Sequence, residues 1–111
     1  MNAKDKQVLE KIHEHICSVQ KYCENCSTLE DFQLYSMCVE ACVFNLMQIG
    51  ELAKMSLSDE LKQELKNVPW KQLYGMRNRI VHGYSGVNMQ IVWDTIKEDL
   101  PDLDKELNLY L

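Results

Sequence analysis

The stretch from Leu29 to Ala53, LEDFQLYSMCVEACVFNLMQIGELA, decides the fold class. Its apolar residues recur at spacings of three and four, which is the period of an α-helix. They are Phe32, Tyr35, Val39, Val43, Leu46, Ile49 and Ala53. Ser27, followed by Glu30, has the spacing of a capping box at the start of this helix. Gly50 lies inside it at a cost of roughly 1 kcal/mol relative to Ala, so we expect another helix to approach closely there.

Two further stripes with the same period lie on either side of this stretch. The first runs from Lys4 to Tyr22, and the last runs from Val92 to Tyr110. Each has one apolar face with charged residues opposite, which indicates an amphipathic helix. No segment alternates with a period of two. The sequence therefore predicts an all-α fold, an up-and-down bundle of four to five helices without significant strand.

Local signals place the ends of the shorter helices. Ser58, followed by two acids, is typical of a helix start, and Asn88 is a candidate cap for the last helix. Pro69 suits the first turn of a helix that Gly83 ends in the left-handed conformation. Pro101 is expected to kink or split the last helix.

The composition bounds the function classes. With 111 residues, 46% of them hydrophobic, the chain has the size of one domain covering residues 1–111. No apolar run approaches the ~20 residues that span a bilayer, and the first residues are charged, so we expect a soluble cytoplasmic protein. The net charge of −5 argues against non-specific coating of nucleic acid, which needs many Lys and Arg residues.

The five cysteines all lie in the first half of the chain. Cys23-x-x-Cys26 followed by Cys38-x-x-x-Cys42 admits a zinc site, because thiolates at short spacings can share a tetrahedral ion. Cys38 and Cys42 are also one turn apart in a predicted helix, where reduced cysteine packs as a small hydrophobe. We favour reduced, packed thiols and predict no metal or cofactor. His13 and His15 cannot share one helix face and are expected on the surface.

The candidate active site is RNRIVHGY, Arg77 to Tyr84. One interpretation is purely structural, because a cation near a helix C-terminus interacts favourably with the helix dipole. The other is chemical. An imidazole can take the proton from a ribose 2′-hydroxyl at neutral pH, and a guanidinium can stabilise the charge on the attacked phosphate.

Arg77 and His82 lie about 140° apart on an ideal helix, so the arginine would have to lean toward the helix end to meet the histidine. A twofold dimer would supply a second Arg77 and His82, and with them both a base and an acid. We expect Lys71 and Arg79 to make that cleft basic.

The pattern Arg-x4-His, Arg77 to His82 with Asn78 after the arginine, resembles the signature of HEPN-domain ribonucleases. Extended to Tyr84 as Arg-x4-His-x-Tyr, it resembles the HepT branch of toxins. NLMQIGELAK and PWKQLYGMRNRIVHGYSGVNMQIVWDTIKEDLP carry the rest of the similarity, which covers about Val39 to Pro101.

The resemblance implies a HEPN-type helical homodimer that cleaves RNA, such as tRNA or mRNA, as a metal-independent endoribonuclease. It implies the toxin of a prokaryotic toxin–antitoxin pair of type II or type VII kind. Arg77 and His82 would be catalytic and Asn78 supporting. The partner would be a minimal nucleotidyltransferase antitoxin that silences the toxin by transferring AMP from ATP to Tyr84.

Two other hypotheses use the same residues. In one, the chain is a non-catalytic helical dimer that binds and regulates a nucleotidyltransferase. In the other, it is a nucleotide-sensing module in which Arg77 and Arg79 hold phosphate without chemistry. We favour the ribonuclease, because His82 adds a capacity for proton transfer that binding alone does not need.

Overall fold

Helices make up the whole fold in the computed structural model, which describes residues 1–111. The α-helical segments are α1 (Ala3–Tyr22), α2 (Leu29–Gln33), α3 (Ser36–Met55), α4 (Asp59–Glu64), α5 (Trp70–Gly83), α6 (Met89–Asp94) and α7 (Leu100–Leu107). A 3-10 turn, Tyr84–Gly86, follows α5, and a π-helical turn, Thr95–Asp99, joins α6 to α7. The predicted all-α bundle without strand is confirmed. None of the helices combines the length and apolar character needed to cross a membrane.

The predicted apolar stripes meet in one hydrophobic cluster of 26 buried residues. Helix α3 is central, since it packs against α1 on one side and α5 on the other, and α7 closes the bundle against α1. Leu9, Ile12, Ile49, Leu100 and Leu103 are fully buried there. Burial of this apolar surface is the main driving force for the arrangement.

The predicted long second helix is interrupted, which corrects the sequence interpretation. It breaks at Leu34 and Tyr35, both exposed, and Tyr35 has a non-helical ψ of 86°. The cap also lies one residue later than predicted: Thr28 accepts a hydrogen bond from the backbone N–H of Asp31, whose carboxylate accepts from Ser27 N–H. The apolar period continues through the break, so periodicity alone could not reveal it.

The predicted cap at Ser58 is confirmed, and it has a partner that the sequence did not indicate. Ser58 accepts from Leu61 N–H, while its own N–H and hydroxyl donate to the carboxylate of Asp5 at 2.9 and 2.5 Å. Asp5 is buried in the first turn of α1. A buried carboxylate needs such partners, and these two hydrogen bonds join the start of α1 to the start of α4.

The end of α5 differs from the prediction, because Gly83 is not left-handed. No residue in the chain has a positive φ, and Gly83 has an extended φ of −177°. Instead of a left-handed cap, the chain continues into the 3-10 turn, where Val87 N–H donates to Tyr84 O. The turn ends before Asn88, which caps α6 as predicted by accepting from Gln90 and Ile91.

Pro101 perturbs the last helix as predicted, and the perturbation is a π-helical turn. Leu100 N–H donates to Thr95 O, five residues back, and α7 then continues with Pro101 in its first turn. Proline lacks an N–H and clashes with the carbonyl four residues earlier, so a wider turn before it avoids a sharper break.

His13 and His15 are half-buried, and both also link α1 to other helices, which the expectation of two surface histidines did not include. His15 Nδ1 donates to Asn45 Oδ1 of α3, and His13 Nδ1 donates to Asp104 Oδ1 of α7, each at 2.7 Å. Asn45 is buried, and its amide also donates to Ala41 O. The bonds satisfy polar groups that a purely apolar α1 interface would leave unpaired.

The two tryptophans pack in different parts of the bundle. Trp93 of α6 stacks on Phe32 of α2 with ring centroids 5.2 Å apart, and the ammonium of Lys97 lies 5.1 Å from the Trp93 ring. Trp70 Nε1 donates to the carbonyls of Lys62 and Leu65 at the end of α4. These contacts fix α2 against α6, and α4 against the start of α5.

Candidate active site

The site begins at a close contact between α3 and α5. A Cβ built on Gly50 would lie 2.6 Å from Arg77 Cβ and 2.8 Å from the carbonyl oxygen of Leu73, distances that real Cβ atoms do not show. Only glycine therefore fits at this crossing. The predicted close approach at Gly50 is confirmed, and the helix that approaches is the one that carries the candidate motif.

Two hydrogen bonds hold the guanidinium of Arg77. Its Nε donates to Glu51 Oε2 at 2.6 Å, across the α3–α5 contact, and its Nη1 donates to Asn78 Oδ1 at 3.0 Å. The Arg77 side chain is 22% exposed. The guanidinium is thus held from two sides but still reaches solvent. Glu51 can reach Arg77 because it follows Gly50, where the two helices are in close contact.

The fixed guanidinium keeps unused donors. A guanidinium has five N–H groups, and two of those on Arg77 are engaged. Three N–H groups are left to bind an anion. A planar array of donors matches the oxygens of a phosphate, so the arrangement can hold a phosphodiester without rotating the side chain first.

His82 lies outside this network. It is exposed near the end of α5, and neither of its ring nitrogens hydrogen-bonds to another residue of the chain. Arg77 points toward Glu51 instead of leaning toward the helix end. Arg77 and His82 of one protomer are therefore not joined by a hydrogen bond. The imidazole of His82 remains available for proton transfer.

Tyr84 begins the 3-10 turn directly after α5. It is 45% exposed and lies beside Glu40 of α3, where it lines two shallow grooves. One of these grooves is almost entirely apolar, and its other walls come from α3 and α5: Val43, Phe44, Met47 and Ile80. The phenol is thus accessible and lies at the edge of an apolar groove.

Within one protomer, the other basic residues that were expected near Arg77 lie elsewhere. Lys71 and Arg79 line a separate groove between α5 and the start of the last helix, together with Asp94 and Asp99. Burial, reinforced by neighbouring carboxylates, raises the pKa of Asp99 above its ordinary value. Two residues along a helix turn the side chain by about 200°, which places Arg79 away from Arg77. Lys71 and Arg79 of the same protomer therefore do not add their charge to the surroundings of Arg77.

Glu51 is the site residue that the sequence reasoning missed. It lies in the segment NLMQIGELAK and directly follows Gly50. A glycine that marks a helix crossing, followed by an acid, was the available signal. Without the partner helix, however, nothing in the sequence indicated that Arg77 would lie opposite.

Comparison with known families decides the classification of the chain. The profile described as "Ribonuclease HepT-like" matches residues 12–109. The chain belongs to this family. The match covers α1 from Ile12 onward and all of the later helices, so it extends beyond the region where the motif resemblance was noticed, and it confirms the resemblance.

Several individual proteins similar to this chain carry ribonuclease names. A protein of Caldanaerobacter subterraneus subsp. tengcongensis named "Putative RNase" is 39% identical over 72% of this chain and 70% of its own. A Thermococcus cleftensis protein named "Probable ribonuclease HepT" is 31% identical over 93% and 92%. A "Putative RNase" of Methanocaldococcus jannaschii is 34% identical over 55% of both chains. No solved structure matches the chain.

Proposed function

We propose that this HepT-like protein is a metal-independent endoribonuclease, the toxin of a prokaryotic toxin–antitoxin pair. The observation that carries the proposal is the state of Arg77: a guanidinium held by Glu51 and Asn78, with three N–H groups free at the surface. The two partners hold the guanidinium in one orientation, which is what positioning of a substrate phosphate requires. Asn78 acts by orienting Arg77, in keeping with its predicted supporting role.

The chemistry requires only groups that the motif contains. The imidazole of His82 removes the proton of a ribose 2′-hydroxyl, and the 2′-oxygen attacks the adjacent phosphorus. The new O2′–P bond forms as the P–O5′ bond breaks, which leaves a 2′,3′-cyclic phosphate and a 5′-hydroxyl. Arg77 stabilises the extra negative charge on the phosphoryl oxygens. The leaving 5′-oxygen takes up a proton.

A homodimer is part of the proposal, because the reaction needs both a base and an acid and one protomer supplies a single histidine, His82. A second copy would bring another His82 to the cleft, where one imidazole acts as base and the other as acid. The apolar groove on α3 and α5 supports a contact between copies: Phe44 is 54% exposed and Tyr84 lies beside it. Exposed apolar surface of this kind is typical of protein interfaces.

The remaining part of the proposal is regulation by a minimal nucleotidyltransferase antitoxin. The phenolic oxygen of Tyr84 would attack the α-phosphorus of ATP, with release of pyrophosphate and of the phenol proton. The exposure of Tyr84 supports this role. The attached AMP carries a phosphate two residues from His82, and its charge would compete with that of the substrate for Arg77.

The first test is cleavage of RNA by protein whose mass shows no modification, in excess EDTA. We expect RNA products with 2′,3′-cyclic phosphate and 5′-hydroxyl ends, and no cleavage of DNA. Arg77→Ala and His82→Ala should abolish cleavage. Arg79→Ala, a matched control on the same helix but in the other groove, should retain it. A circular dichroism spectrum of each variant verifies that it is folded.

Absence of cleavage by folded, unmodified protein would contradict the proposal and favour the regulatory subunit. That hypothesis expects tight binding of the nucleotidyltransferase, unchanged by His82→Ala. Tyr84→Phe should lose acceptance of AMP, as read from the intact mass after incubation with the antitoxin and ATP. Tyr22→Phe, at another exposed tyrosine, should still gain one AMP.

The dimer is tested by light scattering on a sizing column. Phe44→Asp should shift the wild-type dimer toward monomer and lower cleavage in parallel. Leu109→Asp, at an exposed leucine of the C-terminal end, should do neither. A monomeric wild-type protein with full activity would refute the two-histidine scheme.

A further inference from the structure

Three of the five cysteines meet where α1 ends and α3 begins, and a fourth lies in the loop between these helices. Cys23 caps the C-terminus of α1, Cys26 lies in the following loop, and Cys38 and Cys42 occupy the first two turns of α3. The sulfur atoms of Cys23 and Cys42 are 3.6 Å apart, and those of Cys23, Cys38 and Cys42 all lie within 4.8 Å of one another.

Cys26 lies three residues after Cys23. Its backbone N–H donates to Cys23 O at 3.0 Å, so the Cys-x-x-Cys segment forms a tight turn. The Cys26 side chain is buried, and its sulfur is not within 4.8 Å of all three of the others. Cys17, the fifth cysteine, is exposed on α1 and outside the cluster.

We propose that Cys23, Cys26, Cys38 and Cys42 bind one Zn²⁺ ion in a structural site. With Zn–S bonds of ~2.3 Å, the sulfur atoms of a tetrahedral site lie about 3.8 Å apart. The 3.6 Å between Cys23 and Cys42 matches this spacing, and the 4.8 Å limit for these two and Cys38 requires only small side-chain movements. Cys26 would turn toward the ion as the fourth ligand. A disulfide would need about 2.05 Å and would join only two of the sulfurs.

Ordinary core packing explains the cluster less well. Isolated buried cysteines are common as small hydrophobes, but they do not need to meet one another. Here the end of α1 and one face of α3 bring three thiols together, and the turn after α1 carries a fourth nearby in the chain. Cys23 and Cys26 are three positions apart and Cys38 and Cys42 four, which are spacings that can supply two ligands each to one ion.

The chemistry of the donors selects the class of metal. Four thiolates form a closed, soft ligand set with no open position, which is the set of a structural zinc ion. Binding forms four Zn–S bonds and releases the thiol protons to solvent. The complex has a formal charge of −2, and Lys97, which lines the groove beside Cys23 and Cys26, supplies a positive charge that offsets part of it.

The ion would link the end of α1 to the start of α3. Residues 24–35 between them form the loop and the short α2. Along α3, Cys42 precedes Glu51 by nine residues, or about 13 Å. The proposed site therefore stabilises the helix that positions Arg77 without taking part in RNA cleavage, and it does not depend on the proposed activity.

The experiment measures the metal content of reduced protein, purified without chelator, by plasma mass spectrometry. We expect one zinc per chain in the wild type and in Cys17→Ser. In Cys26→Ser and Cys38→Ser, zinc binding should weaken more than about 100-fold. This is a larger loss than the ~10–100-fold caused by changing a residue that only hydrogen-bonds to a metal ligand. Removal of zinc with a strong chelator should lower the Tm of the wild type.

Cobalt substitution identifies the ligands independently of folding yield. Co²⁺ added to the metal-free wild type should give the intense visible bands and sulfur charge-transfer absorption of a tetrahedral tetrathiolate site. The proposal is overturned if folded, reduced protein binds neither ion. It is also overturned if the intact mass shows that the cysteines are lost as disulfides, or if Cys26→Ser keeps the cobalt spectrum of the wild type.

Discussion

Gly50→Ala tests the contact on which the candidate active site is built. In an unconstrained helix, alanine is more favourable than glycine by about 1 kcal/mol. At Gly50 the added methyl group would meet Arg77 Cβ at 2.6 Å and Leu73 O at 2.8 Å. One of these atoms belongs to the backbone of α5, so rotation of a side chain cannot remove the overlap and the helices must move apart.

The expected magnitude follows from these two opposing effects. Insertion of a methyl group into a packed contact costs typically about 1–3 kcal/mol, and a clash with backbone belongs at the upper end. Subtraction of the ~1 kcal/mol gain in helix propensity leaves a net loss of about 2 kcal/mol. For a chain of this length, with an unfolding entropy of about 2.1 cal/mol/K per residue, that corresponds to a Tm lower by about 9 °C.

Gly75→Ala is the matched control, because no atom lies within 4 Å of a Cβ built at Gly75, in the middle of α5. It should raise the Tm by a few degrees. Thermal unfolding followed by circular dichroism measures both variants, and RNA cleavage by folded Gly50→Ala below its Tm should also decrease as Arg77 moves from Glu51. A Gly50→Ala variant as stable as Gly75→Ala would refute the close approach of α3 and α5.

Three further predictions concern single carboxylates. Glu51→Ala should slow RNA cleavage ~10–100-fold, because Arg77 loses one of the two groups that position it. The Tm should change little, since an exposed ion pair is worth about 0.2–1 kcal/mol. Full activity would contradict the positioning role. Asp5→Ala should lower the free energy of unfolding in urea by about 1–3 kcal/mol, since it leaves the Ser58 donors unpaired; an unchanged urea midpoint would contradict it. The pKa of Asp99 is raised in the fold, chiefly by burial, so ionisation of this carboxyl group destabilises the folded protein. The free energy of unfolding therefore decreases as the pH rises from the ordinary pKa through the raised one. Asp99→Asn should therefore raise the Tm at pH 7, and the gain should disappear below the ordinary carboxyl pKa of 3.8; an equal gain at both pH values would exclude the titration of Asp99 as its cause.

Much of the fold could be predicted, because helical period and caps are local properties of the sequence. The stripes through α1, α3 and the last helix, the caps at Ser58 and Asn88, and the interruption by Pro101 all rest on interactions within a few residues. The break at Tyr35 could not be predicted in this way. It depends on α2 packing Phe32 against Trp93, a contact between residues 61 positions apart.

The candidate site shows the same division. The motif Arg77 to Tyr84 was visible as a pattern of residue types, and Gly50 indicated that some helix would pass close to α3. That these two features face each other, and that Glu51 consequently holds Arg77, depends on the pairing of α3 with α5. Likewise, sequence spacing placed the four cysteines in two pairs, but only the return of α3 alongside α1 brings the pairs together.

The packing of the two tryptophans gives the protein a fluorescence reporter at each of two separate contacts. Trp93, between the Phe32 ring and the Lys97 ammonium, reports on the α2–α6 contact, and Trp70 reports on the junction of α4 with α5. Replacement of either one by Phe leaves a single emitter. The emission of the two variants during urea unfolding therefore distinguishes whether the two contacts open together, as one cooperative unit, or in sequence.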